Sequence, residues 1–493
     1  MRALAVLVGL TAVAHASTIV ELDADALTRG ADRIVEGTVV SRTTRWNATH
    51  TGLETHAWIA TTATLKGVSD PLVEVVVLGG ELDGGRLIVV GMPAVAVGET
   101  ARWYLRGRGD GSFRIFGWAQ GKWPARGDGT FAPAPVLAER DTHVAQFTTN
   151  GMVWPANKIP VDYVIQNAGS ADLSLSDVIT SIDAAFATWD AVPCSSLAFR
   201  NAGMTNLGVA TDNTNVVLFI ESGWTFGAEA AAATSLWIID GQQTADIAVN
   251  GEAFTWAVGP PGSGVNTNRL DLQAVLTHEI GHFSGLGHTM RAFDTMYYSW
   301  NPWQSQRTLS IDDKLGLCSL YPTAGNECGT CPAGETCEPY PNGTLCTGTP
   351  DPIGAACNYD RVECDGFCLF TAADLSSGYC SQFCATNADC PPTHHCDEAS
   401  AGGMTVKVCF AGEPPPPCTT DDNCPTLQHC DVANGVCTFE CRTSEDCGPD
   451  HTCDGRGNCV YLGDGGGCGC RSANPSAILG MLGLLLVGCR RRR

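Results

Sequence analysis

The strongest chemical signal in the chain is the run Thr277-His278-Glu279-Ile280-Gly281-His282-Phe283-Ser284-Gly285-Leu286-Gly287-His288-Thr289. Helical residues four apart lie on one face, so His278 and His282 can aim ring nitrogens at a single ion. Three residues after His282 the helix has to stop, so that the chain can carry His288 back to the same ion. Gly285 supplies the stop, because a positive φ costs glycine little, and Gly287 keeps the returning loop slim. Three neutral imidazoles leave a fourth zinc position open, which marks a catalytic rather than a structural site. Water held there is polarised by the metal. Glu279, beside the first ligand, is placed to take the water's proton as general base and pass it to a departing amine. The spacing predicts one catalytic Zn2+ and metal-assisted hydrolysis, of a peptide bond or, on the zinc site alone, of a non-peptide substrate.

The elements that must position these residues can be read around them. The zinc helix is expected at about 271–284. An earlier helix is expected from Ser176 to Trp189, because Val178, Ile179, Ile182, Phe186 and Trp189 fall on one face. The segment Ile159–Ile165 alternates like an edge strand, with Pro160 tolerated at an edge. Further strands are expected at Val216–Ile220, Leu236–Ile239 and Ile247–Val249. A last helix at Ile311–Tyr321 opens on Ser310-x-x-Asp313, which resembles a capping box. Together these make an α+β unit over 149–323. Residues 17–148 hold no cysteine. Their β-branched runs (Ile34–Val40, Leu72–Leu78, Leu87–Val90, Val95–Val97) lie between Gly and Asp turns, which predicts an all-β barrel or sandwich. An inhibitory pro-region, a binding module and a spacer all remain open for it.

The pattern H-E-x-x-H-x-x-G-x-x-H, followed by Asp294-Thr295-Met296-Tyr297-Tyr298, resembles the metzincin zinc peptidases and their Met-turn. Within them the unit is most similar to the matrixins. Thr289 stands where matrixins place serine. The Ile159–Ile165 strand, Ala185-Phe186-Ala187-Thr188-Trp189, Asp271-Leu272, Asp312-Asp313 and Leu320-Tyr321-Pro322 also fit. The resemblance implies a mixed sheet, a zinc helix and a C-terminal helix, and it places Met296 as an apolar floor under the metal; an ordinary core methionine is the other reading. Tyr298 stands where astacins and serralysins place a metal-proximal tyrosine, which could donate to the oxyanion or serve structure alone. Two departures stand out. No cysteine precedes Cys194, so a propeptide thiolate cannot silence the metal and latency needs another mechanism. No set for structural zinc or Ca2+ is evident; Asp240 and Asp246 are the candidates, and calcium is unsupported. Cys194 and Cys318 are the unit's two cysteines and are expected to pair.

The chain has 25 cysteines, of which twenty lie between 324 and 460. Such density marks a disulfide scaffold in an oxidising compartment. Residues 324–462 read as five quartets: Cys328, Cys331, Cys337, Cys346; Cys357, Cys364, Cys368, Cys380; Cys384, Cys390, Cys396, Cys409; Cys418, Cys424, Cys430, Cys437; and Cys441, Cys447, Cys453, Cys459. The last three share a C-x5-C-x5-C spacing, an internal repeat. Each quartet can close two disulfides, with connectivity left open by the spacing. These cysteine-rich repeats are expected to contact a cell surface or matrix. Residues 1–16 read as a signal peptide ending Ala14-His15-Ala16. Residues 463–493 carry Cys468-Gly469-Cys470, a short apolar stretch and four arginines. That tail resembles the sorting segment of exported myxobacterial proteins, which implies a secreted or cell-surface protein that meets a membrane only through this segment before processing. The formal net charge of −23 excludes nucleic acid, which rewards a basic surface. Protein or peptide substrates are the expected partners. The alternative is an adhesion protein whose repeats carry the function beside a weakly active protease domain. An inactive metzincin would typically lose a ligand or the base, and here Glu279 and all three histidines are present.

Overall fold

The computed structural model describes residues 19–323, except 21, 134–146, 260–268, 290–293 and 301–306, together with parts of 335–461. The expected signal peptide, the sorting segment and the quartet cysteines Cys328 and Cys331 lie outside the described residues. So does most of the expected repeat from Cys418 to Cys459. Among the described residues no helix is long and apolar enough to cross a membrane.

The first elements are β1 (Ile19–Val20), α1 (Ala24–Gly30), β2 (Arg33–Trp46), β3 (Leu53–Lys66), β4 (Leu72–Leu78), β5 (Gly80–Leu82), β6 (Gly85–Val89), β7 (Thr100–Gly107), β8 (Phe113–Ile115) and β9 (Lys122–Pro124). Strands β2, β3, β4, β8 and β7 follow one another around a sheet that closes where β7 pairs back onto β2. Closure removes the exposed edges of a small all-β domain. Alternate residues Val35, Val39, Ile59, Val73, Val75, Val77, Trp103 and Leu105 fill the interior of this barrel. Val95–Val97 forms no strand; the chain turns there, with Glu99 N donating to the Ala96 carbonyl at 3.0 Å.

The second set is β10 (Val161–Gln166), α2 (Leu175–Asp190), β11 (Phe199–Thr205), β12 (Val216–Ile220), β13 (Ala232–Ile239), β14 (Gln242–Asn250), β15 (Thr255–Ala257), β16 (Arg269–Asp271), α3 (Leu272–Phe283), β17 (Ser299–Trp300) and α4 (Ile311–Leu320). The sheet order is β11-β10-β12-β14-β13. Its pairings are parallel as far as β14, and β13 runs antiparallel to β14. Strand β10 is therefore internal and not at an edge. Pro160 precedes its first residue, so the proline withholds no donor from the ladder. Helices α2 and α3 pack against one face of the sheet, where Phe186, Trp189, Val217, Ile247, Leu276, Ile280 and Phe283 share one core.

The sheet does not end at β13. Strand β6, from the N-terminal segment, pairs antiparallel along the far side of β13, and β5 follows it. The sequence predicts a strand at Leu87–Val90; the structure places it in the second domain's sheet and not in the barrel.

Beyond residue 323, Ala356–Cys357, Gly378–Ser381 and Phe367–Phe370 form a three-stranded sheet. Disulfides Cys357–Cys368 and Cys364–Cys380 tie it. The hairpin of His394–Ala401 and Met404–Ala411 is tied by Cys384–Cys396 and Cys390–Cys409. In both quartets the first cysteine joins the third and the second joins the fourth. Two short hairpins, His429–Asp431 with Val436–Thr438 and His451–Cys453 with Cys459–Tyr461, belong to a separate unit that begins at Pro414.

Candidate metal centre

Helix α3 starts where Asp271 caps it by accepting from Gln273 N at 3.2 Å. The same carboxylate binds Arg307 through two contacts of 2.6 and 2.9 Å. A bidentate pair of this kind fixes geometry as well as charge. The helix ends at Phe283, and Gly285 adopts φ +103°. A Cβ there would strike the Met152 carbonyl, so the reversal that returns His288 requires glycine both for its φ and for its close approach.

Nε2 of His278 lies 2.9 Å from Nε2 of His282 and 3.0 Å from Nε2 of His288. Nδ1 of His278 is 2.6 Å from the Thr295 carbonyl, and Nδ1 of His282 is 2.9 Å from the Leu286 carbonyl. A carbonyl only accepts, so Nδ1 carries the proton in both rings and each Nε2 presents a lone pair. Burial pushes His278 down to about 4 and His282 well below the ordinary histidine value, so both rings are neutral. Lone pairs converging in a buried space repel one another unless a cation sits among them. The donor set and the carbonyls behind it thus fit zinc, whose histidine ligands characteristically donate their second N–H to such groups.

Glu279 is buried, and its Oε2 accepts from the Thr234 hydroxyl of β13 at 2.6 Å. The sequence does not reveal this contact, which joins residues 45 apart. Nor does it reveal the clamp on the third ligand. The Asn150 amide donates to the His282 and Leu286 carbonyls at 2.7 and 3.1 Å, and Thr148 Oγ1 donates to the His288 carbonyl at 2.6 Å.

Met296 lies directly below α3, so close that a Cβ on Gly281 would collide with its sulfur and with Trp189. Glycine at the position between Ile280 and His282 was a readable sign of that approach. Both carboxylate oxygens of Asp313 hold the turn, accepting from Thr295 N at 2.9 Å and Met296 N at 3.1 Å. Asp313 also completes the capping box with Ser310 at the start of α4. Burial pushes its carboxyl above the usual range. The Tyr298 ring centroid is 6.3 Å from that of His288. Cys194 and Cys318 are disulfide-bonded. Asp246 is buried and accepts from Ala210 N and Val216 N, each at 3.0 Å, and burial pushes it up to about 8. Among the described residues neither it nor Asp240 joins a cluster that could hold a cation.

Residues 153–322 match the family model described as Matrixin. The chain is 41% identical over 69 residues to Metalloendoproteinase 1-MMP of Arabidopsis thaliana, covering 14% of this chain and 19% of that protein. It is 39% identical over 75 residues to Metalloendoproteinase 4-MMP of the same plant, covering 15% and 22%. It is 31% identical over 187 residues to the Hatching enzyme of Paracentrotus lividus, covering 36% and 28%. The chain thus spans between 19% and 28% of the length of these relatives. Over that shared stretch this protein is similar to the matrixins, and His278, His282 and His288 form a zinc site of the kind they carry.

Proposed function

We propose that the chain is a secreted zinc-dependent endopeptidase, with residues 149–323 as its catalytic domain. The observation that carries this reading is the convergence of three buried imidazoles beside the buried side chain of Glu279. Zinc held by His278, His282 and His288 would supply Lewis acidity toward a water molecule and a peptide carbonyl. Glu279 takes the proton of that water and returns it to the departing amine. Thr234 fixes the orientation of the Glu279 carboxylate. Met296, pinned by Asp313, keeps an apolar floor beneath the ligands. Tyr298, close to His288, donates a hydrogen bond to the oxyanion as charge develops on it. Protein substrates follow from the reaction. The disulfides tying residues 357–409 belong to an oxidising compartment. Export through residues 1–16, sorting through residues 463–493 to the cell surface, and surface or matrix contact through the repeats complete the proposal.

The test is degradation of denatured casein by the purified chain. Cleavage should vanish on chelation and return when zinc is restored. Cleavage unchanged by complete removal of zinc contradicts the reading.

A further inference from the structure

The catalytic domain's own sheet ends at β13, and the end strand of a sheet offers a row of unpaired N–H and C=O groups to any extended peptide. Here that row borders the chemistry. Thr234, on β13, donates its hydroxyl to the Glu279 carboxylate. A peptide laid along β13 would therefore bring its main chain past Glu279 and the three histidines. Strand β17 follows Tyr298 directly and offers a second stretch of backbone.

Both stretches are already taken. Strand β6 pairs with β13 from Gly85 opposite Ile239 to Val89 opposite Ser235. The ladder continues to the catalytic residue's neighbour, where Val90 N donates to the Thr234 carbonyl at 3.0 Å. Strand β1 runs parallel to β17, with Ile19 opposite Ser299 and Val20 opposite Trp300. The side chains of β6 also take places that a ligand's would. Leu87 and Val89 join an apolar cluster with Trp237 and Ala233. Val90 is buried in the same core as Leu276, Leu286 and Met296, with Ile88 packed against it. The barrel is anchored in that position. Trp46 stacks on Trp237 at 6.0 Å, Arg114 pairs with Glu229 at 2.8 Å, and Trp118 Nε1 donates to the Phe226 carbonyl at 2.8 Å.

We infer that the N-terminal domain is an intramolecular inhibitor that acts by backbone pairing: β6 holds the edge of β13 that an extended peptide substrate must occupy, and β1 holds β17, the stretch that follows Tyr298. The inference rests on the endopeptidase reading of the site. It also supplies a block that needs no cysteine before Cys194. Cleavage by the intact chain then measures the small fraction of time for which the edge is free, and a ligand's apparent affinity is reduced by that fraction.

The test uses the full zinc-loaded chain. Val90 N–Thr234 O sets the alternation, so Ile88 opposite Leu236 is the next hydrogen-bonding pair and Val89 opposite Ser235 is a non-bonding one. Ile88→Pro removes a ladder donor; the pair Val89→Cys and Ser235→Cys ties the two strands together. Binding of fluorescein-labelled denatured casein is followed by anisotropy in chains that also carry Glu279→Ala. Ile88→Pro should tighten binding by about tenfold or more, and adding the cross-link should reverse the gain. The same variants with Glu279 intact should show casein cleavage rising and falling in step. Equal binding with the edge free, native or cross-linked would overturn the inference and leave the protease reading standing. No zinc-dependent cleavage by any chain bearing Glu279 would overturn the protease reading, and this inference with it.

Discussion

The chain buries histidines in two different ways. His56, on barrel strand β3, is surrounded by charged groups of its own domain. Its Nδ1 is 2.8 Å from Glu74, its Nε2 accepts from Arg45 Nε at 2.8 Å, and Glu54 lies 3.7 Å away. The polar demand of that ring is met inside the fold. His278 and His282 are buried as deeply, but their Nδ1 atoms face neutral carbonyls and their Nε2 atoms face each other or His288. Burial of a polar group stabilises nothing unless it finds a partner. A histidine with counterions from its own chain is structural. Histidines whose lone pairs converge are completed by an ion from outside.

The most severe way to break this contrast is His282→Ala. It should abolish stoichiometric zinc binding, read by native mass spectrometry, and casein cleavage with it. Retention of one zinc per chain would show that the triad is not the metal site. A smaller effect separates the sites by pH. Burial holds His278 at about 4, so the unfolded chain takes up a proton near 6.5 that the fold refuses. The metal-free protein should lose stability as pH falls through 6.5, with the loss complete near 4 and amounting to about 3 kcal/mol for this group. Urea unfolding at pH 7 and at pH 4.5 measures it, and equal stability at the two would contradict a buried neutral ring. The mildest test is His56→Leu. Leaving Glu74 and Arg45 short of a partner should cost about 1–3 kcal/mol of barrel stability, while zinc stoichiometry stays at that of the native chain. A change in zinc content would show the two sites to be less separate than the geometry makes them.

The sequence made one half of this contrast legible. The i, i+4 spacing of His278 and His282, the Gly285 stop and the following Met296 are local patterns, and local patterns translate directly into helix geometry. Helices α2, α3 and α4 were expected within a residue or so at each end, because periodicity and caps are also local. What escaped was non-local. Strand β6 reads as a strand, but no pattern within Gly85–Val90 says that its partner is β13, about 150 residues on. The polar residues Thr234, Ser235 and Thr244 interrupt the apolar runs, so β13 and β14 looked shorter than they are. Their burial is decided by neighbours across the sheet, Thr234 by Glu279 itself. Strand β10 looked like an edge because Pro160 stands at its start, while its place between β11 and β12 depends on chain crossings that the sequence does not display.

The most direct measurement is zinc content and casein cleavage made on the same sample of Glu279→Gln. Amide for carboxylate preserves the size of the side chain and leaves the three imidazoles in place. The account predicts one zinc per chain with kcat lowered by about 10² to 10⁴-fold. A variant that binds zinc and still cuts casein at the native rate would contradict it, because the carboxylate beside the ligands would then not be the base.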